Sequence, residues 1–468
     1  MALLRDDRLF PTDDRARPVA EALYASVKSL PILSPHGHTD PRWFAENEPF
    51  PDPAQLFVTP DHYVFRMLHS QGVPLEALGV PRVDGGPTET DGRKIWRLFA
   101  DHYHLFRATP SRLWLDHAFQ DVFGFDVRLG PKTADLYYDH IADCLARDDF
   151  RPRALFERFG IEAISTTEGA LDELKWHRMI RDSGWKGRVI TAYRPDSVVD
   201  PEFEGFASNV EAFGSLAGVD ATTWAGYLEA HRIRRATFKS FGATSTDHGH
   251  PTARTENLGT AEAVALFDKA LTGRCSPEEA DAFRGQMLTE MARMSLEDGL
   301  VMQIHPGAMR NHSGPILAAF GRDKGYDVPT RTDYVRALKP LLDAVGERSD
   351  LTVILFTLDE TAYARELAPL AGVYPALKLG PAWWFYDSVE GMRRYREMTT
   401  ETAGFYNTVG FNDDTRAFCS IPARHDVARR VDCGYLATLV ADGRLDEDEA
   451  FEVASDLAYG LAKKAYRL

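Results

Sequence analysis

Two short stretches, far apart in the chain, carry residue types that could do chemistry together. The first is Ser34-Pro35-His36-Gly37-His38-Thr39-Asp40-Pro41, directly after the apolar run Leu30–Leu33. Alternate side chains of an extended segment share a face, so His36 and His38 project together from a strand end. Two imidazoles on one face suit a borderline metal such as zinc, which takes its remaining ligands from elsewhere. They equally suit ordinary polar contacts. The second stretch is Gly410-Phe411-Asn412-Asp413-Asp414-Thr415-Arg416. There Asp414 and Arg416, two apart, can present a metal ligand or base beside an anion-binding guanidinium. A turn opening on an aspartate is the plainer reading.

Something must bring those stretches together. Short apolar runs recur along the chain at 31–33, 161–165, 188–193, 236–240, 299–305, 351–357, 373–380 and 407–411. Amphipathic helical stretches separate most of them, among them 260–271, 277–298, 331–345, 359–370 and 389–400. Strands alternating with helices predict a parallel sheet, and eight such units predict an α/β fold of the distorted (β/α)8 TIM-barrel type. A doubly wound open sheet would carry a Gly-rich phosphate loop after its first strand, and none is present. Residues 42–155 read as a long, aromatic-rich, mainly helical insertion after that strand. The expected division is therefore 1–41 for an N-terminal helix and the first strand, 42–155 for the insertion, and 156–468 for the remaining units. A closing amphipathic helix is expected from residue 446 onward.

A barrel places its ligand site at the C-terminal ends of the strands. The residues found there are His36 and His38, Thr166 and Thr167, Arg194, Asp247 and His248, His305 with Arg310, Thr357, Trp383 with Trp384, and Asp414 with Arg416. Arg194, before the strand-stopping Pro195, offers a fork for a carboxylate or the makings of a surface ion pair. In the insertion, Asp61-His62-Tyr63 is either a helix cap followed by packing residues or a proton-transfer pair, His62 and Tyr63, beside the site. Thr109-Pro110-Ser111-Arg112-Leu113-Trp114 reads as a capped helix start with proline in its first turn.

Bulk composition narrows the field. The 468 residues are 44% hydrophobic and 26% charged, with a net charge of −16, ordinary for a globular protein and unfavourable for nucleic-acid binding. An acidic protein that binds acidic small molecules must do so through local arginines. The four cysteines form no CxxC pair, so neither a cysteine zinc site nor a disulfide framework is indicated, and no run has transmembrane length. A cytoplasmic protein is expected.

The segments HGHTDP (36–41), DHYVFR (61–66), TPSRLWL (109–115), RPD (194–196), TDHG (246–249), MQIHPGAMRN (302–311), GPAWWF (380–385) and NDDTR (412–416) occur in one order along nearly the whole chain. In these the chain resembles the uronate isomerases of the amidohydrolase superfamily. The resemblance implies a distorted (β/α)8 barrel that interconverts D-glucuronate with D-fructuronate, and D-galacturonate with D-tagaturonate. It also implies one divalent metal, usually zinc, on His36, His38 and Asp414. Tyr63 and Asp414 would then transfer the proton, and His62, Arg194 and Arg416 would contact substrate. From their strand-end places alone, His305 reads as a further site residue, Arg310 as another anion contact or part of a solvated loop, and Trp383 and Trp384 as a sugar-facing wall or core. The chain departs from the family at Pro35, Gly37 and Glu168-Gly169. Lys239 falls in a predicted strand, but no lysine is clearly placed to bridge two metals, so one metal is expected. The expected partner is a small-molecule hexuronate, without nucleic acid or membrane, and a homo-oligomer is compatible with this. A metal-dependent hydrolase or deaminase on the same barrel is the alternative.

Overall fold

The first strand, β1 (Ile32–Ser34), is three buried residues long and stops at Pro35, which has no N–H to donate. The computed structural model, which describes residues 3–468, sets β1 beside β2 (Ile161–Gly169), β3 (Val189–Arg194), β4 (Ser245–His248) and β5 (Val301–Ile304). A small antiparallel ribbon follows, β6 (Ala308–Met309) with β7 (Val328–Pro329), before β8 (Val353–Leu355) and β9 (Leu377–Leu379) rejoin the main sheet. That sheet has seven strands in the order β1-β2-β3-β4-β5-β8-β9, all parallel.

The run 407–411, expected as an eighth strand, contributes a single parallel bridge, Leu379 to Thr408. Just beyond it the chain comes alongside β1. Ser34 Oγ donates to Asp413 Oδ1 at 3.0 Å, and His38 N donates to the Thr415 carbonyl at 3.1 Å. The sheet therefore curls so that its first and last stretches face one another.

Other expectations need correction. Residues 236–240 are no strand but the end of the helix Trp224–Ser240, whose buried Tyr227, Ala230, His231, Arg234 and Phe238 keep helical spacing. Gly242 at φ 90° then turns the chain toward β4. Lys239 is thereby on a helix, its Nζ on the Asp298 carbonyl, and it cannot bridge metals. The predicted helix over 331–345 forms only at Lys339–Val345. β2 runs on through Thr166 and Thr167 to Gly169. The end of the chain is helical without a break from Glu447 to Ala465, as expected, with a π-helical turn at Asp456–Gly460 inside it.

Alternation along the strands sorts the core. Met302, Ile304, Val353, Leu355, Leu377 and Leu379 pack with the helical layer. Val301, Ile354 and Val409 turn the other way and pack with Tyr466 near the C-terminus. Tyr466 Oη donates to Gln303 Oε1 at 3.1 Å and accepts from Asn412 Nδ2 at 3.2 Å. Burying each large apolar side chain contributes roughly 1.5–3 kcal/mol.

Residues 41–158 are helical and build a second apolar cluster around Phe44, Trp96, Phe99, Phe119 and Tyr137. Its helices start where the sequence provides caps. Asp40 accepts from Arg42 N at 2.9 Å, Asp61 from Tyr63 N at 2.8 Å, and Thr109 from Arg112 N at 3.2 Å, each worth about 1 kcal/mol. The Asp61 cap fixes where His62 and Tyr63 point.

Candidate active site

A cavity of about 660 Å³ opens at the C-terminal ends of the strands, roofed by the insertion and by the loop that carries the β6–β7 ribbon. His36, His38, His62, Tyr63, Arg194, His305, Arg310, Trp383, Trp384, Asp414 and Arg416 all line it. Every residue named as a site candidate from the resemblance is thus in one place. Thr166, Thr357 and His248 are not. Thr166 Oγ1 pairs with His177, Thr357 Oγ1 accepts from Asp359 N, and His248 Nε2 meets Thr246 Oγ1.

At the cavity floor His36 Nε2 lies 3.5 Å and His38 Nε2 3.4 Å from Asp414 Oδ1. That oxygen is buried and has no hydrogen-bond partner. A tetrahedral ion with bonds of about 2.1 Å holds its ligand atoms about 3.4 Å apart, so the donor set and its spacing fit a metal. Among the described residues this is the one group of three or more His, Cys, Asp or Glu side chains close enough to share an ion. Asp414 is fixed from two sides. The Trp383 indole N–H donates to Oδ2, and the residue sits at φ 36°, a conformation that a non-glycine residue adopts only when its neighbours enforce it.

Charge states follow from burial. Burial pushes His38 down to about 3, partly offset by Asp414. It pushes His62 well below the ordinary histidine range, with Arg416 and Arg66 adding to the effect. Both rings are neutral at pH 7. Burial also works to raise Asp414, but His36, His38 and the Trp383 donor outweigh it and keep the carboxyl below its usual range. Tyr63 is raised by burial against the opposing charge of Arg424, so its phenol keeps its proton. At the cavity floor an ionised carboxylate, Asp414, and a protonated phenol, Tyr63, therefore share the same space.

The three arginines differ in a way that the sequence does not reveal. Arg194 Nε donates to Asp196 Oδ2 at 2.7 Å, and its Nη1 lies 3.3 Å from Asp247 Oδ2. Arg310 Nη1 donates to Asp327 Oδ2 at 2.9 Å while stacking 5.2 Å from the Trp384 ring centroid. Arg416 faces the cavity and, among the described residues, makes no ion pair.

Asp247 is the residue that sequence reasoning left without a role. Fully buried, it lies 2.5 Å from His305 Nε2 and 3.9 Å from His36 Nδ1. Burial pushes its carboxyl up, but His305, His36 and Arg194 hold it well below the ordinary range. Its signal was its place in Thr246-Asp247-His248, where only the middle residue faces inward. Gly249 completes this corner, since a Cβ there would come within 2.4 Å of Arg194 Nη2 and 2.8 Å of His305 Cε1.

A family model described as glucuronate isomerase matches residues 11–466. The chain belongs to the glucuronate isomerase family. A uronate isomerase of Rhizobium meliloti (strain 1021) is 70% identical over 466 residues, covering 100% of this chain and 99% of its own. The crystal structure of glucuronate isomerase from Caulobacter crescentus matches at a TM-score of 0.97 and 60% identity, over 99% of this chain and 97% of that one. A uronate isomerase from Thermotoga maritima matches at a TM-score of 0.92 with 25% identity, over 99% of each chain. The isomerase architecture is thus kept while three quarters of the side chains change.

Proposed function

We propose that this chain is an aldose–ketose isomerase of hexuronates, converting D-glucuronate to D-fructuronate and D-galacturonate to D-tagaturonate. The observation that carries the reading is the meeting, in one cavity, of an ionised carboxylate, a protonated phenol and an arginine without a carboxylate partner. Isomerisation moves a proton between neighbouring carbons through an enediol and needs both a base and an acid. Asp414 takes the proton from carbon. Tyr63 Oη donates to the substrate oxygen on which charge develops. Arg416 receives the substrate carboxylate in a bidentate contact. Arg194, held by Asp196 and Asp247, and neutral His62 orient the sugar hydroxyls, while Trp383 and Trp384 wall the ring.

His36, His38 and Asp414 would hold a single divalent ion, zinc by the softness of two imidazoles, and when bound it supplies Lewis-acid stabilisation of charged oxygen. We read the curled sheet as a distorted (β/α)8 barrel in which the run 407–411 takes the eighth position. Among the described residues no helix is long and apolar enough to cross a membrane; the four free cysteines fit a reducing compartment, in keeping with a cytoplasmic enzyme of hexuronate catabolism. The relatives named above are isomerases, so the hydrolase alternative is not favoured.

The deciding experiment follows ketose formation from D-glucuronate and D-galacturonate by purified protein, before and after chelation and with zinc or manganese restored. Turnover is expected on at least one sugar. Folded, metal-loaded protein inert on both would overturn the reading.

A further inference from the structure

Two conspicuous residues remain without a role in this chemistry: Trp114 of the TPSRLWL segment and Asp387, shortly after the two tryptophans. Both meet Arg424, on the helix Ile421–Ala441. Arg424 is 1% exposed, and a guanidinium so buried must be paired and hydrogen-bonded. Nη1 donates to the Asp387 carboxylate and, at 3.1 Å, to the backbone carbonyl of Asp413, while Nε donates to Ser420 Oγ at 3.3 Å. Its planar face is used as well. Cζ lies 3.6 Å from the Trp114 ring centroid and 5.6 Å from that of Tyr63. The Tyr63 and Trp114 rings meet edge to face, 6.0 Å between centroids.

These contacts tie the helical insertion to the strand ends at the site itself, beyond the apolar packing of the insertion against β1, β2 and β3. Tyr63 and Trp114 belong to the helical insertion, whereas Asp413 and Asp387 belong to the strand ends. The Asp413 carbonyl is also the peptide unit leading into Asp414, whose left-handed φ of 36° must be held from outside. A single guanidinium grips that peptide on its edge and the phenol on its face.

We propose that Arg424 is a positioning residue that sets the Tyr63 phenol against Asp414, with Trp114 and Asp387 fixing the guanidinium in turn. The proposal rests on the reading of Tyr63 and Asp414 as the proton-transfer pair. Lysine is a poor substitute, because an ammonium lacks the planar face that lies against Trp114 and the separate Nε–H that reaches Ser420 while Nη1 serves both Asp387 and the Asp413 carbonyl.

The test is a double-mutant cycle on kcat and KM. Arg424→Lys should lower kcat about 10- to 100-fold with KM within about threefold, the scale expected when a reacting group is displaced by about 1 Å. In a Tyr63→Phe background the same substitution should change kcat by less than about threefold, because the group it positions is already gone. Equal losses in the two backgrounds, or an unchanged kcat in the parent, would overturn the proposal. Should Arg424→Lys not fold, Trp114→Leu leaves the Arg424–Asp387 pair intact and enters the same cycle with the same thresholds. Parent protein inert on both hexuronates would instead overturn the functional reading. A crystal structure of the Arg424→Lys or Trp114→Leu protein then decides the positioning claim, with the Tyr63 hydroxyl moved by about 1 Å or more expected and an unmoved ring refuting it.

Discussion

Replacing Arg416 by methionine separates recognition from stability. The guanidinium faces the cavity and, among the described residues, pairs with no carboxylate, so its removal orphans no acid. What is lost is a charge-assisted, two-pronged contact with the uronate carboxylate, on the order of 2–3 kcal/mol. At about 1.4 kcal/mol per tenfold, kcat/KM should fall roughly 30- to 150-fold. The melting temperature should stay put or rise slightly, since a half-buried cation leaves with no partner to mourn it. Arg194→Met is the contrast. It takes a cation from Asp196 and from Asp247, which is 0% exposed and keeps only its histidine partners; breaking a buried pair costs up to about 3–5 kcal/mol, so activity and melting temperature should fall together. Initial rates on both hexuronates and on an aldohexose without a carboxylate, alongside thermal melts, give the comparison. An equal loss on the neutral sugar, or a kcat/KM within threefold of the parent, would refute the assignment of Arg416.

Asp414→Asn should lower kcat by roughly 10²- to 10⁴-fold with unchanged circular dichroism; near-parent rates would remove it from the chemistry. Tyr63→Phe should cost about 10² in kcat while His62→Asn acts mainly on KM, and the opposite pattern would move the proton transfer to the imidazole. His36→Ala protein should no longer retain one equivalent of zinc in equilibrium dialysis, and full retention would break the ligand assignment. Glu168 gives a pH signature. Burial pushes its carboxyl up to about 8, whereas an unfolded glutamate titrates near 4.3. The folded chain keeps a proton that the unfolded chain releases, so this contribution is full below about pH 4.3 and is lost as pH rises to about 8. Glu168→Gln, which cannot titrate, should therefore gain on the parent across that window, by a few kcal/mol at the top. Melting curves that stay parallel from pH 5 to 8 would show Glu168 ionised in the fold.

What could be read from the sequence was whatever depends on neighbours in the chain. His36 and His38 share a face because strands alternate, and Asp61 caps a helix because the next N–H groups need an acceptor. What could not be read depends on distant partners. Arg194, Arg310 and Arg416 look alike in sequence, yet two are paired and one is not. β4 escaped notice because Ser245-Thr246-Asp247-His248 is polar throughout and buried all the same, Ser245 and Asp247 being met by Gln303 and His305, and Thr246 and His248 by each other. The nearby Ala236–Ser240 looked like a strand because five residues are too few to show that they continue a helix. That 407–411 forms no strand was equally hidden, since one bridge to Leu379 rather than a ladder holds it.

That last feature bears on how the site breathes. Ser34 and Asp413 meet across 379 residues of sequence, along an edge with little backbone pairing, and such edges are among the first to open in local fluctuations. His36 and His38 lie on one side of it and Asp414 on the other. An ion shared by all three would therefore clasp the edge as well as supply its chemistry. By mass action it would raise the free energy of opening by about 4 kcal/mol at a thousandfold excess over Kd. Amide hydrogens of residues 36–39 and 412–416 would then exchange in step with occupancy, while those of the buried helix Pro277–Asp298 keep their own pace.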